Sequence, residues 1–247
     1  VDTADAMGVL ERFRRRTLEL VREQGLSDDQ VEVVSARPLT PEEAIGKPER
    51  TDFPIQKGKE FMMEARYRGS RGQAFTSMPS EFSGTIEEAL ARDLNTDFDR
   101  ALVVATANAV LAHLGVTEKT VHCRDDGPKK CAEQVVEYLS ERFGNPRIAI
   151  IGRQPALISA LKDTFPIRVT DLDEDQIGKT NLGVLIESGE NTEDVIDWCD
   201  LVFVTGTVLA NDTVESVMAG KPIVFYGVTI AGAAELLGLE RYCPCAI

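Results

Sequence analysis

Histidine is nearly missing from this chain of 247 residues, which carries only His113 and His122. A His-rich zinc site or a multi-histidine proton relay is thereby excluded by counting. Positive charge is also scarce, with 27 Lys and Arg against 41 Asp and Glu and a formal net charge of −14. A nucleic-acid groove needs clustered Lys and Arg to displace counterions, so no nucleic-acid partner is expected. No apolar run approaches the ~18–20 residues that cross a bilayer, and no signal-peptide stretch opens the sequence, so no membrane partner is expected either. The expectation is a soluble, cytoplasmic protein. Cysteine occurs five times, an odd number that argues for reduced thiols over a disulfide framework. Paired CxxC knuckles are absent.

Hydrophobic residues make up 43% of the chain, enough for a sizeable core. Residues 5–24 carry a rough helical stripe, with Leu10, Phe13 and Val21 set among arginines, and Gly25 ends it. Val31 to Ser35 is a short strand candidate. Thr40 followed by Pro41, Glu42 and Glu43 has the order of a helix start, with a stop at Gly46. Phe61 to Arg68 alternates, Gly69 to Gly72 supplies turn residues and Gln73 to Thr76 returns, which predicts a hairpin. Thr85 should cap a helix over Ile86–Leu94. The stretch from Asp97 to Leu114 is apolar on most sides, as a buried spine would be, and His113 falls within it. These elements make an α+β unit.

From Arg147 the pattern becomes a strand and helix alternation, with β-rich runs at 147–152, 167–171, 183–188, 201–206 and 222–227. Such runs suit a parallel, Rossmann-like sheet, where ligands sit beyond the carboxyl ends of the strands. That rule nominates Gly152, Asp171, Thr205, Gly206, Thr207, Gly227 and Thr229 as ligand-binding, with Asn211 a few residues on. The turn Gly152-Arg153-Gln154-Pro155-Ala156-Leu157 holds one glycine where a dinucleotide fingerprint needs three, so NAD in the standard mode is disfavoured. Asp171 stands where a ribose-binding acid would sit. An adenosine-type ligand without a polyphosphate stays open. Asn211 or Asp212 is expected to cap the helix carrying Val214, and amides after Gly227 could meet an anion.

Between the halves lies His122-Cys123-Arg124-Asp125-Asp126-Gly127-Pro128-Lys129-Lys130-Cys131. Pro128 marks a helix start, and thiolates with imidazole are ligands for soft or borderline metals. Cys123, His122 and Cys131 are therefore metal candidates, joined by the terminal pair Cys243 and Cys245, with Asp125 as a further ligand-binding candidate that would supply charge and coordination. A buried apolar role competes for Cys131 and Cys199.

Several stretches together, among them HCRDDGPKKCA, IAIIGRQPALISAL, VFVTGTVLANDTVES and VFYGVTIAGAAELLGLERYCP, resemble a family of two-domain prokaryotic proteins named for heavy-metal chelation. The resemblance runs from about residue 60 to the C-terminus. It implies an enolase N-terminal-like α+β domain followed by a Rossmann-like domain, with a site in the cleft between them that Gly152, Thr205, Gly206, Thr207, Asn211 and Thr229 would face. The HCRDDGPKKC segment departs from the family's pattern. The division read from the sequence is 1–120, a connecting Cys-containing segment at 121–145, and 146–247.

The expectation is a protein that binds a transition metal, or a small metal-chelating molecule, in that cleft, with a homodimer as an allowed assembly. The alternative is a small-molecule enzyme, a transferase or lyase with an adenosine-type cofactor such as S-adenosylmethionine, using Cys123 as nucleophile or a carboxylate as base. From residue 151 onward there are 6 Lys and Arg against 15 Asp and Glu, so the acidic excess concentrates beside the strand ends. That favours a cation, a metal complex or an uncharged molecule over a polyphosphate.

Overall fold

The structure is a computed structural model describing residues 7–33, 40–218 and 220–247. Helix α1 (Val9–Glu23) buries Val9, Leu10, Phe13, Thr17 and Val21, the three-to-four-residue spacing of one helix face. Strand β1 (Gln30–Val33) follows, while Val34 and Ser35 of the expected strand lie outside the described residues. Helix α2 (Pro41–Ile45) is the single turn anticipated after Thr40. Thr40 Oγ1 accepts from the Glu43 amide, the Glu43 carboxylate accepts from the Thr40 amide, and Gly46 ends the turn at φ 68°.

Strands β2 (Phe61–Tyr67) and β3 (Ser70–Thr76) form the hairpin, but its turn is tighter than the glycines suggest. Tyr67 pairs with Ser70, leaving Arg68 and Gly69 as a two-residue loop at φ 47° and 87°. Positive φ at both positions gives the twist that antiparallel strands need. Strand β4 (Ser83–Thr85), unforeseen in the sequence, pairs with β1 and sets the order β3-β2-β1-β4. Helix α3 (Ile86–Leu90) is capped by Thr85 and stops short of Leu94. Helix α4 (Asp97–His113) is the spine, buried continuously from Asp99 to Leu111. Gly72 belongs to β3 because α4 lies against it, and a Cβ there would sit 2.2 Å from the Ala109 amide nitrogen.

Helix α5 (Gly127–Phe143) leads into the second sheet. In chain order come β5 (Ile148–Ile151), α6 (Pro155–Leu161), β6 (Ile167–Asp171), β7 (Thr180–Asn181), β8 (Val184–Ser188) and α7 (Thr192–Trp198). β9 (Leu201–Thr205), α8 (Val214–Val217), β10 (Ile223–Tyr226), α9 (Ala231–Leu237) and β11 (Arg241–Tyr242) complete it. The order is β11-β10-β9-β5-β6-β8-β7, parallel except for the short β7. Both faces are covered, as a parallel sheet requires. Ile148 and Ile150 of β5 pack with Leu139, Leu157 and Phe203 on one side, while Ala149 and Ile151 join the core of α1, α4 and α9 on the other. No side chain caps α8, where Thr213 holds the N-cap position and Asp212 sits at φ 59°, so the capping expected of Asn211 or Asp212 fails. The sheet departs from one edge of β5 and then the other, which opens a crevice beyond the carboxyl ends of β5 and β9. Among the described residues, no helix is long and apolar enough to cross a membrane.

Candidate functional site

A cavity of ≈ 130 Å³ opens at that crevice and extends to the hairpin, the loop before it and the Cys-containing segment. Of the sequence candidates, Gly152, Asp171, Thr205, Thr207, Gly227, Thr229, His122, Cys123, Cys131 and Cys243 line it. A second, adjoining pocket shares Gly152, Asp171, Thr205 and Thr207 and adds Asn211. Gly206 does not line either space. It is buried against Ile230, whose Cβ would stand 2.8 Å from a Cβ at that position, so the glycine there serves packing. Asp125 also lies elsewhere. Its Oδ1 accepts from the Lys47 amide at 2.9 Å and its own amide donates to Ile45, which pins α2 to the connecting segment.

Several nominated groups are already engaged. Asp171 accepts from the amides of Arg153 and Asp173, so the acid at the ribose position secures the turn after β5. Gln154, at the second-glycine position of a dinucleotide fingerprint, caps α6 by accepting from the Leu157 amide at 2.7 Å. Thr229 Oγ1 accepts from Phe75 in β3, joining the two sheets. Asn108, buried in α4, donates to the carbonyls of Gln73, Val228 and Thr229 and accepts from the Gly232 amide. The first turn of α9 is thus satisfied from within, and the anion site anticipated after Gly227 loses that donor.

Three wall residues had not been nominated. Tyr226 donates to the Gly152 carbonyl at 2.6 Å and steadies the turn. Arg153 is 6% exposed, and its two terminal nitrogens each reach the Asp52 carbonyl at 3.3 Å. Its Nε has no hydrogen-bond partner among the described residues. Glu60 is half-buried just before β2, and burial, then the charge of Asp171, push its carboxyl up to about 7. His122 is held the other way, below its ordinary 6.5, chiefly by burial. Its ring meets Phe75 edge-on at 5.6 Å, and Nδ1 bonds the Cys123 carbonyl at 2.6 Å. Only Arg153 left a signal in the sequence, as the single basic residue directly after a strand-end glycine of the second sheet.

The terminal cysteines do reach the central segment. Val121 and Ile247 exchange two backbone hydrogen bonds of 2.8 Å, and Tyr242 donates to the Cys131 carbonyl. The Cys131 thiol lies beside those of Cys123 and Cys245. The Cys123 contact, followed by burial, raises the Cys131 thiol, and burial followed by Cys131 raises that of Cys245 to about 11. Ligation of a metal by these thiols would require release of their protons. Among the described residues, no group of three or more His, Cys, Asp and Glu side chains is disposed to hold a metal ion. The five cysteines are free, and Cys199 is a buried core residue.

Residues 134–237 match the family DUF364, described as "Putative heavy-metal chelation". The match takes in Arg153, Asp171, Thr205, Thr207 and Tyr226, but stops short of Cys123, Cys131, Cys243 and Cys245. A DUF364-family protein of unknown function from Pyrococcus horikoshii is similar in fold, with a TM-score of 0.56 and 18% identity over 90% of this chain and 80% of that one. Another, from Desulfitobacterium hafniense, has a TM-score of 0.50 and 14% identity over 72% of each chain. No curated protein matches the sequence.

Proposed function

We propose that this protein binds a small metal-chelating organic molecule, with or without its metal, in the cavity at the strand ends. One observation carries the reading: Arg153, Glu60, His122, Thr205 and Thr207 converge on a single apolar-walled space, yet among the described residues the protein's own donors form no metal cage. Such a space fits an organic ligand that brings its own donor atoms, with the metal as cargo. In this reading residues 1–120 and 146–247 are two domains, enolase N-terminal-like and Rossmann-like, the 121–145 segment joins them, and the cavity is their cleft. Thiols without disulfide partners suit a reducing compartment such as the cytoplasm.

The test is thermal unfolding with nickel, cobalt, copper and zinc ions alone, and with the same ions as citrate complexes. A ligand of the native state raises the midpoint by mass action. Stabilisation by the complexes and not by the free ions is expected. Equal stabilisation by a free ion, abolished by Cys123→Ser with Cys131→Ser, would overturn the reading in favour of direct chelation.

A second reading, a lyase or transferase, is favoured by the carboxyl of Glu60 and the neutral imidazole of His122 lining one cavity, a donor and an acceptor for proton transfer. An adenosine-type cofactor would then occupy the adjoining pocket, whose walls include the hydroxyls of Thr170, Thr192, Thr213 and Ser216. Stabilisation by S-adenosylmethionine in the same screen distinguishes it.

A further inference from the structure

The cavity holds a guanidinium and a carboxyl that do not close on each other. Arg153 makes no ion pair among the described residues, its terminal nitrogens rest on an uncharged carbonyl, and its Nε is buried without a partner. Glu60, half-buried, lines the same cavity, and its carboxyl makes no side-chain hydrogen bond or ion pair among the described residues. It feels the charge of Arg153, but no ion pair of 4 Å or less joins them. Asp171, the third charge present, is already answered by two backbone amides. A buried donor left unmade costs about 1–3 kcal/mol, and a buried charge without a partner costs more. The cavity therefore has one unfilled need for an acceptor and one for a donor.

A bare cation would meet the carboxylate and be repelled by the guanidinium. A simple anion would do the reverse. A molecule carrying both charges a few bonds apart meets both needs at once, and the apolar walls of Phe53, Ile55 and Leu157 can cover an aliphatic body beside them. From this pairing we infer that the ligand is a small amino-carboxylate zwitterion, its carboxylate on the guanidinium of Arg153 and its ammonium on Glu60. The inference rests on the binding-protein reading and names its ligand class. Loss of the ammonium proton would turn the same molecule into a nitrogen and oxygen chelator.

The test is titration calorimetry with L-alanine and L-leucine, with their des-amino counterparts propanoate and 4-methylpentanoate, and with the amines ethylamine and 3-methylbutylamine. At least one amino acid is expected to bind ten-fold or more tighter than either of its truncated forms. Arg153→Gln should reduce that amino acid to the level of its amine, and Glu60→Gln to the level of its acid. If Arg153→Gln does not fold, the ligand series and Glu60→Gln decide the question. Equal binding of a zwitterion and one truncated form, or binding of none of the six, overturns the inference. In the latter case, stabilisation by citrate complexes leaves the binding-protein reading standing, and its absence removes both.

Discussion

Glu60→Gln is expected to stabilise the protein in alkaline solution and to change little in acid. Burial, and then the charge of Asp171, raise this carboxyl from its ordinary 4.5 to about 7. Between those values the native protein holds a proton that the unfolded chain has released, so the native state binds more protons and stability falls as pH rises. The stability tied to the protonated carboxyl is fully present below pH 4.5 and is lost as pH climbs through 7. A shift of that size, at 1.36 kcal/mol for each pH unit, means that the ionised carboxylate costs the fold roughly 3 kcal/mol by pH 8. Glutamine has nearly the same shape and cannot ionise. Urea unfolding of both proteins at pH 4.5, 6 and 8 isolates the effect, because other titrating groups cancel in the difference. The variant's advantage should grow by about 3 kcal/mol between pH 4.5 and pH 8. A difference that stays flat within about 0.5 kcal/mol across that range would refute the claim that an unpaired carboxylate is strained in this cavity.

Three further outcomes follow from the packing. Asn108→Ala should cost about 2–4 kcal/mol in urea unfolding, since it strips the Gly232 amide and the Gln73, Val228 and Thr229 carbonyls of a buried partner; a loss under about 1 kcal/mol would mean that water replaces the amide. Gly72→Ala should cost about 1–3 kcal/mol by pushing β3 away from α4, because the new methyl would meet backbone that cannot rotate aside; an unchanged denaturation midpoint would show that the hairpin and α4 are not in contact. A mild thiol oxidant such as diamide should form its first disulfide through Cys131, with Cys123 or Cys245 as partner, read by peptide mapping without reduction. Early modification at Cys199 instead would place the C-terminal tail away from α5.

The fold was readable wherever local chemistry and long-range packing agree. Thr40 and Thr85 cap helices because a hydroxyl before two acids satisfies the same amides in any context. The run Ile148–Ile151 reads as a doubly covered strand because both of its faces are apolar. Agreement failed where a neighbour distant in sequence decides. Gly72 looks like a turn residue and is a strand residue, since α4 demands the missing side chain. Gly206 looks like a ligand-facing amide and is a packing residue, since Ile230 fills the space. The β4 strand is too short to show a period and forms because β1 offers an edge.

The site divides along the same line. Strand-end rules located Gly152, Asp171, Thr205 and Thr207, because a parallel sheet fixes where its carboxyl ends point. They did not distinguish a side chain that faces the cavity from one that holds the cavity together, and Asp171 and Thr229 both proved to be holding it. Two cavity residues with unmet bonding capacity are Arg153 and Glu60, separated by more than ninety positions and brought together only when the loop before β2 folds over the turn after β5. Unmet capacity is a property of the assembled surroundings, so no spacing rule could expose it. The thiols give the converse case. Cys123, Cys131 and Cys245 do meet, as a metal reading of the sequence would hope, but burial and mutual proximity raise the thiols of Cys131 and Cys245, and it is Tyr242, bonded to the Cys131 carbonyl, that fastens the C-terminal tail to α5. Among the described residues, then, the proximity of metal-ligating residue types does not by itself make a metal site.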